Sequence, residues 1–138
     1  ATRSSKLMLG LDVEDMVAPQ TAKRLEASVI NDDELDLLRQ APRPAELFTL
    51  IFSVKESFYK AAYPWVKRYF GFKAISVTGV TWKSGCLDFS INEDLGGIFK
   101  PGMVFSAAFK TMDDKRIVTY FDVSRDDERF RRLIETVE

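Results

Sequence analysis

The sequence predicts an α+β domain with helices packed on one face of a mostly antiparallel sheet. Two observations carry this. Apolar spacing follows one alternating run and then helical patterns as far as residue 62, and from residue 74 onward it switches to four β-rich runs joined by turn residues. The chain has 138 residues, with 46% hydrophobic and 30% charged side chains, enough for one domain with a real core and too few for two typical ones. Residues 1–138 are therefore read as a single domain.

Residues 6–14 (KLMLGLDVE) alternate as a strand, with Leu7, Leu9, Leu11 and Val13 expected in the core and Gly10, Asp12 and Glu14 on the opposite face. Pro19 suits a helix start, and Ala22, Leu25, Ala27, Val29 and Ile30 continue a loosely helical pattern. Asn31 or Asp32 caps a second short helix running through Leu38. The prolines of residues 41–44 then break the chain before an amphipathic helix over Phe48–Ala62. One face of that helix carries Leu47, Leu50, Ile51, Val54, Phe58, Ala61 and Ala62. Thr49, Ser53, Glu56 and Lys60 form a narrow polar seam, and Phe48, Phe52 and Tyr59 a second apolar flank. Pro64 predicts a stop or kink near Tyr63, followed by an aromatic and basic stretch through Phe72 that fits either a helical turn or a loop. Four strands follow at residues 75–82, 87–91, 103–109 and 116–123, with turns at Ser84-Gly85 and Asp113-Asp114. Ser124 with Asp127 resembles a capping box opening a basic terminal helix.

Composition narrows the chemistry. A formal net charge of −1 gives no global basic field for nucleic acid, and no apolar run is long enough to span a membrane. The single cysteine, Cys86, permits no internal disulfide and fits a reducing cytoplasm. Histidine is absent, which removes Ser-His-Asp and Cys-His mechanisms and the common zinc sites. Any catalysis must use carboxylates, lysines and a hard cation.

Two constellations fit that toolkit. Asp12 and Glu14 project from the same strand face, roughly 6–7 Å apart along the chain, a spacing at which two carboxylates can share Mg²⁺. Acids at a strand end are also commonly just solvated. Glu56 and Lys60 lie one helical turn apart, which ordinarily means a surface salt bridge worth a few tenths of a kcal/mol. Apolar flanks on both sides instead place this seam against another protein surface or a cleft, and Ser53 and Lys55 nearby suit a phosphate-bearing ligand. Three carboxylates and a lysine without histidine match metal-assisted phosphoryl-group chemistry. No P-loop or kinase glycine pattern is present.

LGLDVE followed by FSVKESFYKA resembles the paired signatures of the phosphopantetheinyl transferases, approximately (I/V)G(I/V)D and (F/W)(S/A)xKE(S/A)xxK. The Asp-x-Glu form of the first motif is most similar to the enterobactin-synthase and surfactin-synthetase-activating type. The likeness is good over about Leu9–Ala62 and loose beyond. It implies transfer of the 4′-phosphopantetheine arm of coenzyme A to a serine of an acyl or peptidyl carrier protein, in siderophore or non-ribosomal peptide biosynthesis.

By this resemblance Asp12, Glu14 and Glu56 are the Mg²⁺ ligands, and Glu56, directly or through a metal-bound water, deprotonates the carrier serine. Lys60 contacts the pyrophosphate, with Lys55 as a further phosphate contact, and Trp65, Tyr69, Phe70 and Phe72 offer docking anchors for the carrier, or else pack in the core. Members of this type have two similar halves, so the chain is expected to be one half of a pseudo-twofold fold, the C-terminal one. It would pair with an N-terminal half or a second copy through the flank of Phe48, Phe52 and Tyr59, and be weakly active alone. The short trimeric relatives usually carry GTG after the second motif, where this chain has Ala62-Tyr63-Pro64. The rival reading is a non-catalytic α+β interaction module docking a partner through the aromatic patch of residues 65–72.

Overall fold

A computed structural model of the chain describes residues 6–124. In chain order these form β1 (Lys6–Asp15), α1 (Pro19–Val29), α2 (Asp32–Gln40), α3 (Pro44–Val66), a 3₁₀ turn (Phe72–Ala74), β2 (Ile75–Thr81), β3 (Cys86–Ile91), β4 (Val104–Met112) and β5 (Arg116–Ser124). The predicted terminal helix after Ser124 lies outside the described residues. The five strands make one antiparallel sheet in the order β1-β5-β4-β3-β2. The three helices between β1 and β2 thus carry the chain from one edge of the sheet to the other, and α3 packs on β1 and β5. The α+β architecture with helices against an antiparallel sheet is as the sequence predicts.

The core lies between α3 and the sheet. Phe58 sits at its centre, its ring centroid 5.1–5.6 Å from those of Phe70, Phe89, Phe99 and Phe121 in edge-to-face contacts, an arrangement that adds to the gain from area burial. Leu50, Ile51, Val54 and Ala62 are fully buried alongside it. Tight turns close the hairpins where predicted. Gly85 adopts φ 69°, and Asp113 and Asp114 both take positive φ, the two-residue geometry that matches strand twist. Asn31 forms a capping box with Glu34 at the start of α2.

Three expectations change. The central helix is longer than Phe48–Ala62, starting with Pro44 in its first turn and running through Pro64 to Val66. Pro64 is tolerated because it sits exposed in the last turn, where its missing N–H costs a single bond, and the helix ends on Lys67 in the left-handed region. The flank of Phe48, Phe52 and Tyr59 is no outer surface. Phe48 is buried, Phe52 packs at a tilt against Phe72, and Tyr59 packs on Phe70, so the chain's own loop covers much of it.

The third change concerns β1, whose alternation is as read but whose facing is reversed. Leu9, Leu11 and Val13 are about half exposed, while Met8, Gly10 and Asp12 are buried against α3. Gly10 shows why. A Cβ built there would overlap the main-chain carbonyl of Ser57 and lie 3.1 Å from Ala61 Cβ, so glycine alone lets the strand approach the helix this closely. Close approach puts the polar residues of β1 within hydrogen-bond reach of α3, and that offsets the cost of burying them.

Candidate functional site

Along the polar seam of α3, Thr49 and Ser53 are buried, Glu56 is partly buried and Lys60 is half exposed. Thr49 Oγ1 bonds back to Ala45 O and accepts from Val17 N at 3.0 Å, fastening the chain just beyond β1 to the helix. One turn on, Ser53 donates to Asp12 Oδ2 at 2.9 Å, and two turns further Lys60 Nζ donates to Asp12 Oδ1 at 2.8 Å and to Leu11 O at 3.1 Å. Lys60 therefore pairs with Asp12 across the strand–helix junction and not with Glu56 along the helix. An ammonium has three donors, so one remains for a ligand on the half-exposed side of this lysine.

Glu14 and Glu56, both partly buried, complete the neighbourhood. Glu14 is pushed up to about 7 from its ordinary 4.5, first by burial, then by a hydrogen bond with Asp12 and the charges of Asp12 and Glu56, with Lys60 opposing. Glu56 is raised by burial and by Asp12, again against Lys60. Lys60 is itself raised, chiefly by its bond to Asp12. The three acids predicted from sequence are thus brought into mutual electrostatic range, with the lysine among them. Among the described residues no three His, Cys, Asp or Glu side chains close into a ready-made metal cage. The donor set is nevertheless all hard oxygen, and its members disfavour each other's charge. A divalent cation would relieve that strain.

The sign of a pH effect follows. A carboxyl raised in the folded state keeps a proton that the unfolded chain releases, so its stabilising contribution is complete below the ordinary carboxylate value and lost as pH rises through about 7. Without metal, the melting temperature should therefore fall between pH 5 and pH 8. A flat or rising profile would show that burial and the neighbouring Asp12 do not hold Glu14 and Glu56 above the ordinary carboxylate value in solution.

Two sequence-based assignments need correction. Lys55 is not a phosphate ligand in this structure. Its ammonium is buried, donates to Glu34 Oε1 and Val29 O at 2.7 Å each, and is lowered by burial against the opposing pull of Glu34. Ser53 is likewise turned inward to Asp12 and cannot reach a ligand. The aromatic patch divides: Tyr69 and Trp65 are exposed, whereas Phe70 is buried on Phe58 and Phe72 packs on Phe52. A cavity of about 160 Å³ beside Glu56 is lined by Tyr59, Tyr69, Phe70 and Phe72. A larger cleft of about 690 Å³ lies elsewhere, between α1, α2 and the start of α3, with Lys23, Arg39 and Arg43 among its lining residues. Thr119 carries no signal in the sequence because an isolated hydroxyl residue in a strand has no spacing pattern, and Ser57 sits at a position of the second motif where alanine serves equally, which hides its hydroxyl.

Comparison with known proteins gives concordant matches. The family model described as the 4′-phosphopantetheinyl transferase superfamily matches residues 8–101, which include every acid of the site and Lys60. Enterobactin synthase component D of Salmonella typhimurium is 38% identical over 78 residues, covering 56% of this chain and 33% of that protein. The protein of the same name from Salmonella typhi is 41% identical over 58 residues, covering 41% of this chain and 25% of that protein. The chain thus matches about a third or less of the length of these curated relatives. Among solved structures, the Thermotoga maritima holo-[acyl-carrier-protein] synthase superposes with a TM-score of 0.64 at 17% identity, over 87% of this chain and 64% of that one. At that identity the likeness speaks for the fold.

Proposed function

This chain belongs to the 4′-phosphopantetheinyl transferase superfamily, and from that premise we propose that it carries the catalytic acids for moving the phosphopantetheine arm of coenzyme A onto a serine of an acyl or peptidyl carrier protein. The observation that bears most weight is the junction where α3 delivers Glu56 and Lys60 to the Asp12–Glu14 end of β1.

Glu56 takes the proton of the carrier serine. Burial and Asp12 raise its proton affinity above that of an ordinary carboxylate, which strengthens it as a base. The serine oxygen then forms a bond to the pantetheine-side phosphorus, and the bond from that phosphorus to the bridging oxygen breaks, releasing bisphosphorylated adenosine. Lys60, anchored by Asp12 and Leu11 O, points its remaining donor toward the pyrophosphate and stabilises the charge that accumulates on the leaving group. Asp12, Glu14 and Glu56 would hold Mg²⁺, which when bound neutralises pyrophosphate charge. The cavity lined by Tyr59, Phe70 and Phe72 suits the uncharged arm, and exposed Tyr69 in its lining, with exposed Trp65 near the end of α3, suits carrier docking.

Leu9, Leu11 and Val13 form an exposed apolar stripe on the strand that carries the acids. We assign to this stripe the contact with a second half-domain or second copy, which would complete the coenzyme A site. The setting we propose is siderophore or non-ribosomal peptide biosynthesis in the cytoplasm, after the relatives named for enterobactin synthase.

Intact-mass spectrometry tests the reaction. An apo-carrier protein incubated with the chain, coenzyme A and Mg²⁺ should gain the mass of the arm, and omission of Mg²⁺ should prevent it. Unchanged mass across several carriers, with the chain supplied in its full natural length, would overturn the assignment.

A further inference from the structure

Beneath the acids, three hydroxyls with no exposure to solvent connect all three elements of the junction. Ser53 and Ser57 lie one turn apart on α3, and Thr119 lies on β5 directly opposite Asp12 of β1. Ser53 donates to Asp12 Oδ2, and this uses its only proton. Its second contact, to Thr119 Oγ1 at 2.8 Å, must then be donated by Thr119. That uses the only hydroxyl proton of Thr119, so the close contact with Ser57 is donated by Ser57, shared with Thr119 O at 3.1 Å. Every proton in the chain therefore points the same way. The sequence runs Ser57 to Thr119 to Ser53 to Asp12, and a hydroxyl that itself accepts a bond is a better donor.

We propose that Ser53 is a positioning residue for Asp12, held in its donating orientation by Thr119, and that this buried relay sets the carboxylate's angle for metal binding. The inference rests on Asp12 being a metal ligand, as proposed above. With Lys60 on Oδ1 and Ser53 on Oδ2, the carboxylate is pinned from both sides and cannot rotate about its last bond. Supporting bonds of this kind fix a ligand's geometry before the ion arrives. The Thr119 methyl has no role in the relay, and its hydroxyl does.

The test is Mn²⁺ affinity of the full chain, read from the electron paramagnetic resonance signal of free Mn²⁺, with folding followed by circular dichroism. Ser53→Ala should weaken Mn²⁺ binding about tenfold, Thr119→Val by less, and Thr119→Ser hardly at all. Because Thr119 acts through Ser53, the double variant Ser53→Ala/Thr119→Val should bind no more weakly than Ser53→Ala alone. Wild-type affinity in Ser53→Ala, or losses that add in the double variant, would overturn the relay while leaving the metal site standing. Undiminished binding in Asp12→Asn, or none by the wild type at millimolar Mn²⁺, would remove the metal site itself and the relay's purpose with it. Should Ser53→Ala fail to fold, the contrast between Thr119→Val and Thr119→Ser decides, since equal affinities in that pair would overturn the proposal.

Discussion

Replacing Glu56 with glutamine is expected to cut phosphopantetheine transfer by about 10²-fold or more while leaving the fold intact, the range that follows loss of a general base. The amide keeps the size of the side chain and can still bond to a neighbour, but it cannot accept the serine proton. Its effect on stability should run the other way. The Glu56 charge is among the causes that raise Glu14, so removing it relieves part of the crowding. The metal-free variant should therefore melt no lower than the parent at pH 8. Initial rates of carrier modification by mass spectrometry and melting curves by circular dichroism measure the two quantities. A variant with about a third or more of the parental rate would remove Glu56 as the base.

The site was more legible than the surfaces around it, and β1 shows the reason. Alternation reveals the period of a strand directly, but which face turns inward depends on what packs against it. In isolation Leu9, Leu11 and Val13 are the obvious core face. The decision is made by α3, whose Ser53, Ser57, Ala61 and Lys60 offer small volume and hydrogen-bond partners to Gly10 and Asp12. The same limit applied along the helix. The polar seam was visible in the sequence as Thr49, Ser53, Glu56 and Lys60, yet its partners lie 32 to 66 residues away, on β1, just beyond it, and on β5. Spacing identifies residues that share a face. It does not reveal which of two lysines, five residues apart on one helix, will find a buried acid, and so the sequence alone groups Lys55 with Lys60 beside the phosphates.

That buried acid makes Lys55→Met the variant with the largest expected effect on stability. Glu34 is fully buried and serves three donors: Lys55 Nζ, the Asn31 N–H that begins α2, and the Val77 N–H of β2. Lys55 in turn caps the end of α1 through Val29 O. The pair therefore ties α1, α2, α3 and β2 together behind the helix face that presents Glu56. Burying two charges brings little net gain even with good geometry, but removing one partner strands the other, at a cost of about 3–5 kcal/mol. Methionine fills most of the space of the lysine stem, so the loss reports on charge and not on a cavity. Urea unfolding at neutral pH should show the unfolding free energy falling by that amount, seen as a lower midpoint at unchanged slope. A phosphate-contacting lysine would give the opposite pattern: wild-type stability with weakened affinity for coenzyme A. Unchanged unfolding with reduced coenzyme A binding would therefore return Lys55 to the ligand and refute the buried pair. A destabilised chain that retains its affinity for coenzyme A below the transition would confirm that the two lysines of the second motif divide their work, Lys55 holding the scaffold and Lys60 facing the pyrophosphate.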